Sequence, residues 1–144
     1  MSITIEKFST CNTFFFERAT RIRTEVFVNE QNVPAELEYD GLDNEAVHFL
    51  LFYEGMPCVT ARYRAIDGKY KLERFATLKE YRGKNLGANL LHHILSDLTV
   101  KQKKIYLHSQ DSAVGFYLKY GFVIEGNEFY EADIKHFKMF YLEK

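Results

Sequence analysis

The sequence has no tryptophan, only two cysteines and two prolines, and its 19 basic and 20 acidic side chains leave a net charge of −1. Each shortage excludes something. Without a basic excess there is no overall field for nucleic acid, whose binding is driven largely by counterion release. Cys11 and Cys58 can close at most one bridge, and a chain of this size rarely needs one, so two reduced thiols in a cytoplasmic protein are expected. The longest apolar runs, such as Phe49 to Tyr53, fall far short of the roughly 20 residues of a membrane span. Met1 to Phe8 has neither a basic start nor a long apolar stretch, so no signal peptide and no membrane partner are expected. What remains is ordinary globular usage, 47% hydrophobic and 27% charged over 144 residues. That supports one core, and a single domain over residues 1–144 is expected.

Hydrophobic periodicity orders the chain. Ile3, Ile5 and Phe8 alternate weakly as a short strand. Asn12 or Thr13 caps a helix whose stripe runs through Phe15, Phe16, Ala19, Ile22, Arg23, Val26 and Phe27. Pro34 and Gly41 bracket an acidic loop or short helix. Val47 to Tyr53 is a continuous apolar strand. A turn at Gly55 and Pro57 leads to an alternating strand in which Thr60, Arg62 and Arg64 are expected on a wet face. Asp67-Gly68 is a hairpin signal before a third strand, Tyr70 to Leu78. Leu86, Leu90, Leu91, Ile94, Leu95 and Leu98 then mark an amphipathic helix. Lys101, Lys103 and Lys104 are expected at its end, where cations meet the negative pole of the helix dipole. A strand from Lys104 to Ser109, a helix from Ser112 to Tyr120 closed by Gly121, and strands at Phe122 to Glu125 and Phe137 to Leu142 complete a mixed α/β (α+β) layer structure.

The sharpest local feature is Tyr81 to Leu91, YRGKNLGANLL, at the entrance to the long helix. A helix N-terminus offers unpaired N–H donors and a positive dipole end, and glycine lets backbone approach an anion. Arg82 and Lys84 add charge. The pattern has no Lys-Ser/Thr pair after its second glycine and lacks the three-glycine dinucleotide fingerprint, so it fits a phosphate or pyrophosphate outside those two classes.

With the segment SAVGFYLKYGF downstream, this turn resembles the GNAT superfamily of acetyl-CoA-dependent N-acetyltransferases. Arg82, Asn85 and Gly87 fall on the three marked places of the family's pyrophosphate motif, Arg/Gln-x-x-Gly-x-Gly/Ala. Asn85 departs from it, though Asn tolerates positive φ better than other non-glycine residues. Gln110, Ala113, Phe116, Tyr117, Gly121 and Phe122 match the family's second motif. Arg23 to Pro34, with Glu36 and Asp40, and the C-terminal GNEFYEADIKHFKM resemble the ElaA-like branch. The resemblance implies the acyl-CoA N-acyltransferase (GNAT) fold, a mixed, mostly antiparallel sheet flanked by helices. It also implies acetyl-CoA as cosubstrate. The pantetheine arm would lie along the main chain of Phe75, Ala76 and Thr77, an arrangement available wherever a sheet splays open. The pyrophosphate would meet Arg82, Gly83, Lys84, Asn85, Leu86, Gly87 and Ala88, with Gln110, Ala113 and Phe116 beside the cofactor.

Acetyl transfer to an amine needs a neutral nitrogen, a polarised thioester and a proton for the leaving thiolate. Tyr117 matches the family tyrosine near the sulfur and is expected to donate that proton. Glu73, on the strand before the turn, stands where some GNAT enzymes hold a carboxylate that takes a proton through water, so the resemblance makes it the expected catalytic carboxylate. His108 is a second candidate base, and an amine arriving neutral would need only water. Glu25, Glu30, Glu36 and Asp40 would form an acidic rim for a small-molecule or peptide amine. His92 and His93 are adjacent, point to different helix faces and cannot share a metal from that element, and no Cys or His spacing marks a zinc site. A non-catalytic acyl-CoA-binding or sensor module is the alternative, and a homodimer fits the family's habit.

Overall fold

In the computed structural model, residues 2–142 are described. Eight strands form one sheet in the order β1-β2-β3-β4-β5-β8-β6, with β7 paired to β8. They are β1 (Ile3–Phe8), β2 (Val47–Tyr53), β3 (Met56–Ile66), β4 (Lys69–Thr77), β5 (Ile105–Gln110), β6 (Phe122–Ile124), β7 (Phe129–Glu131) and β8 (Ile134–Tyr141). Only β4 and β5 run parallel, joined through helix α3 (Leu86–Thr99); every other pairing is antiparallel. Hairpins therefore build both halves, and one crossover helix joins them.

Two cores cover the two faces. On one, Leu86, Leu90, Leu91, Ile94 and Leu98 of α3 pack on Phe49, Leu72 and Leu107 of the sheet. On the other, helix α1 (Thr13–Arg23), capped by Asn12 Oδ1 accepting from the Phe15 N–H at 3.1 Å, buries Ala19 and Ile22 against Phe8, Leu50 and Ala76. The short helices α2 (Ala35–Glu38) and α4 (Val114–Lys119) complete the layers. The mixed α+β architecture read from periodicity is the one observed.

Four local features differ from expectation. The face of β3 expected to be wet is dry: Thr60 and Arg62 are 1% and 0% exposed, because α1 and the loop after it cover them. A strand before the last one went unread, since its hairpin turn is Ala132-Asp133, both at positive φ without a glycine to mark them. The lysine run lies beyond the end of α3, where Lys104 pairs with Glu125 at 3.3 Å across to the β6 end. After Arg23, the first helix continues as a π-helical stretch, Thr24–Glu30, which no periodicity foretells.

Candidate active site

The site begins with a break in the sheet. β4 and β5 pair only from Tyr70 to Leu72, opposite Ile105 to Leu107, and then separate. The cause is a bulge: between the pairs Thr60–Ala76 and Arg62–Glu73, the single residue Ala61 faces both Arg74 and Phe75, and Arg74 takes φ 54°. A bulge bends its strand. Beyond it β4 stays paired with β3, but its other edge, through Phe75, Ala76 and Thr77, pairs with no strand among the described residues.

The turn Tyr81 to Ala88 stands at the end of that edge. Asn85 occupies the left-handed region, φ 61° and ψ 18°, so the asparagine in the glycine place adopts the backbone that place requires. Its side chain makes no capping bond, which leaves the first N–H groups of α3 without a side-chain acceptor. Gly87 faces β4 and α4: a Cβ there would stand 3.4 Å from Thr77 Oγ1, 3.7 Å from Phe75 and 3.8 Å from Phe116. Unfilled donors and a glycine-lined approach suit an anion.

Between the separated strands lies a cavity of about 1050 Å³. Phe75, Ala76 and Thr77, then Arg82, Gly83, Asn85, Leu86, Gly87 and Ala88 line one end. Gln110, Ala113, Phe116 and Tyr117 line the facing side, and Glu73 the far end. Lys84 is exposed and stays off the wall. Arg82 is committed within the protein: its two Nη atoms meet the Glu30 carboxylate at 2.6 and 2.8 Å, and its Nε donates to the Thr77 carbonyl at 3.0 Å. Gln110 Nε2 likewise donates to Gln31 Oε1 at 2.7 Å. The two bonds tie the π-helical stretch and Gln31, which caps its end, to the cavity, whose wall includes Val26, Phe27, Glu30 and Gln31.

Tyr117 is 7% exposed, set among Phe75, Phe116 and Phe122, with ring centroids 6.3, 5.2 and 5.5 Å away. Burial pushes its phenol well above the ordinary tyrosine value, so it keeps its proton. The Cys58 thiol is fully buried and pushed up to about 11 by that burial, which leaves it inert as a nucleophile.

The far end is ionic. Burial pushes the Glu73 carboxyl up, but the hydrogen bond from Arg64 and the charges of Arg62 and Lys71 outweigh it and hold it at about 2. Arg62 Nε and Arg64 Nε reach Glu73 Oε1 at 3.1 and 2.7 Å, and Lys71 Nζ lies 3.3 Å from Oε2. A carboxylate held that low is a poor proton acceptor near neutrality, which argues against the basic role expected of it. Arg62 also binds Asp40 and Asp43; Arg23 joins Asp43 to Glu38, and Arg74 Nε meets Glu38 Oε1 at 3.0 Å. The expected acidic rim is thereby dissolved. Asp40 is bound by Arg62 and Arg74, Glu30 by Arg82, and Glu25 and Glu36 stay off the cavity wall. Sequence reading placed Arg23 on the inward stripe of the first helix, where it is buried, but missed its partner Glu38 and missed Arg62 and Arg74; the partners of a buried arginine, distant in the chain, show only once the fold is in place.

A family model for the acetyltransferase (GNAT) domain matches residues 12–142. The chain belongs to the GNAT family. The uncharacterized N-acetyltransferase YjcF of Bacillus subtilis is 38% identical to this GNAT chain over 120 residues, 82% of the chain and 86% of that protein. An acyl-CoA N-acyltransferase from Pseudomonas aeruginosa superposes with a TM-score of 0.87 at 26% identity, over 98% of this chain and 100% of the other. Escherichia coli ElaA gives 0.87 at 23% identity with the same coverage, a likeness of fold. GNAT membership makes the chain an acyltransferase of a family that uses acyl-CoA.

Proposed function

We propose that the chain transfers an acetyl group from acetyl-CoA directly to a primary amine. Acetyl-CoA, when bound, supplies an activated acyl carbon on a thioester whose sulfur must leave. The chain's own residues do the rest. The first N–H groups of α3, at Leu86, Gly87 and Ala88, hold the pyrophosphate, and the open edge from Phe75 to Thr77 pairs with the amides of the pantetheine arm. Tyr117 holds a proton at its phenolic oxygen for the departing sulfur, while Phe75, Phe116 and Phe122 exclude water around it.

The observation that carries this reading is Tyr117 itself: a buried, protonated phenol on the wall of the same cavity as the phosphate turn. A binding module needs the turn and has no use for the phenol. Calorimetry with acetyl-CoA, followed by CoA release across a panel of small amines, amino sugars and lysine peptides, tests it. Tyr117→Phe keeps the ring and its packing, so acetyl-CoA affinity should hold while turnover falls by about 10²-fold or more. An equally active Phe variant would remove the phenol from the reaction.

A further inference from the structure

The acceptor end of the cavity holds a histidine that the preceding reading leaves without a task. His108, on β5 just past the point where β4 leaves it, lines the cavity with its side chain 25% exposed. Its Nδ1 lies 3.3 Å from Glu131 Oε2, at the end of β7. The hydrogen bond from His108 lowers the Glu131 carboxyl below its ordinary value, so this oxygen is an acceptor only. The proton of that bond must then sit on Nδ1. In a neutral imidazole this leaves the lone pair on Nε2, which has no partner among the described residues. Phe129 packs edge-on at 4.9 Å and holds the ring from the side.

The neighbouring groups cannot do the same work. His136 Nδ1 faces the Ile134 carbonyl at 2.7 Å, and its Nε2 is turned toward Glu131 Oε1 at 3.7 Å, so both of its nitrogens are directed at protein atoms. Glu73 and Lys71 are paired with each other, and Glu73 also with Arg62 and Arg64. The Tyr106 ring lies 6.0 Å from that of His108, and its phenol is raised by burial and the nearby Glu73 charge. Lys138, the register partner of His108 on β8, is the remaining cation facing it.

We infer that His108 Nε2 is the proton acceptor for the incoming amine, with Glu131 as the positioning residue that fixes its tautomer; the inference rests on the amine acetyltransferase reading above. The amine arrives as an ammonium and gives one proton to Nε2. The freed nitrogen lone pair forms the C–N bond to the acyl carbon as the C–S bond breaks, its electron pair going to sulfur. Tyr117 gives sulfur a proton and is replenished by the second proton lost from nitrogen, and His108 releases its own to solvent. The sum is one amide, one thiol and one proton. Buried Glu73 cannot take this part.

Nitrogen-15 NMR of the histidine side chains in the unliganded chain reads the tautomer directly: His108 should carry its proton on Nδ1, and Glu131→Ala should erase that preference while Glu131→Gln, which keeps an acceptor oxygen, retains most of it. With an amine found in the panel, His108→Gln should lower kcat/KM about 10²-fold at unchanged acetyl-CoA affinity. Free imidazole should restore part of the turnover of His108→Ala. A proton on Nε2, or full turnover by His108→Gln, overturns the dyad and leaves the acetyltransferase reading standing. No acetyl-CoA binding, or no amine turned over by the unsubstituted chain, removes that reading and the dyad with it.

Discussion

The two ends of the cavity are built on opposite principles. The phosphate turn, Tyr81 to Ala88, is one short stretch of chain whose donors are left open, with an asparagine at the helix entrance that makes no cap. The ionic end is assembled from α1, the loop after it, β3 and β4, and its charges are matched within the protein. An open donor row gives up stability in order to bind; a closed ion network gives up binding in order to hold a shape. Mutations at the two ends should therefore separate into binding effects and folding effects.

The largest effect belongs to the ionic end. Arg62 is wholly buried and bonded to Asp40, Asp43 and Glu73. Arg62→Ala removes the buried cation these three carboxylates share, leaving Asp43 to Arg23, Asp40 to Arg74 and Glu73 to Arg64 and Lys71, and should cost about 3 kcal/mol of unfolding free energy, measured by urea denaturation. If the variant instead kept its stability and lost only acetyl-CoA affinity, the division between the two ends would be wrong.

Acid should act on the same network. Glu73 titrates at about 2 in the fold against an ordinary 4.5. Its folded value is the lower one, so its contribution is complete above the ordinary value and is lost as pH falls through that range toward 2. The amount is on the order of 3 kcal/mol for a side chain only 7% exposed. Denaturation series at descending pH should show this slope, and Glu73→Gln should flatten it, although its stability at neutral pH is lower.

The same contrast explains what the sequence discloses. The phosphate turn is legible because its physics is local: glycines, cations and a helix start within a few residues. The two faces of α3 follow from helical spacing in the same way, whereas Tyr117 stands out only through its match to the family's second motif. The ionic end was misread because alternation alone places Thr60 and Arg62 on a surface, and only the packing of α1 over that face shows it to be dry. Glu73 is a candidate base by family resemblance alone; the arginines that hold its carboxylate lie on the facing strand, and neither strand alone reveals the pair. Glu131 was hidden with its strand, whose turn has no glycine.

At the phosphate end, Gly87 offers a cleaner test. An added Cβ meets its neighbours at 3.4 Å or more, an ordinary contact, so Gly87→Ala should bind acetyl-CoA nearly as well as the unsubstituted chain. Gly87→Val pushes branched methyls between Phe75 and Phe116 and should weaken acetyl-CoA binding by about 1–3 kcal/mol, with little change in melting temperature. Equal losses of binding and stability would mean that the glycine serves packing.

The smallest effect decides what Arg82 does. It is the one member of the turn already paired, and the pair sits at the surface, with side chains 40% and 34% exposed. Such a bridge contributes at most about 1 kcal/mol to stability, so Glu30 is not needed to keep the turn folded. Its carboxylate, however, stands beside the place where the pyrophosphate is proposed to lie, and competes with it for the same guanidinium. Glu30→Gln removes that competition and a repulsive charge while leaving the Arg82 Nε bond to Thr77 intact. Acetyl-CoA should then bind a few fold more tightly, by less than about 1 kcal/mol, and the gain should shrink as salt is added because the site is exposed. Weaker binding by Glu30→Gln would assign Arg82 a different part: a latch whose bond to the π-helical stretch positions the wall of the cavity, with the phosphates held by the backbone alone.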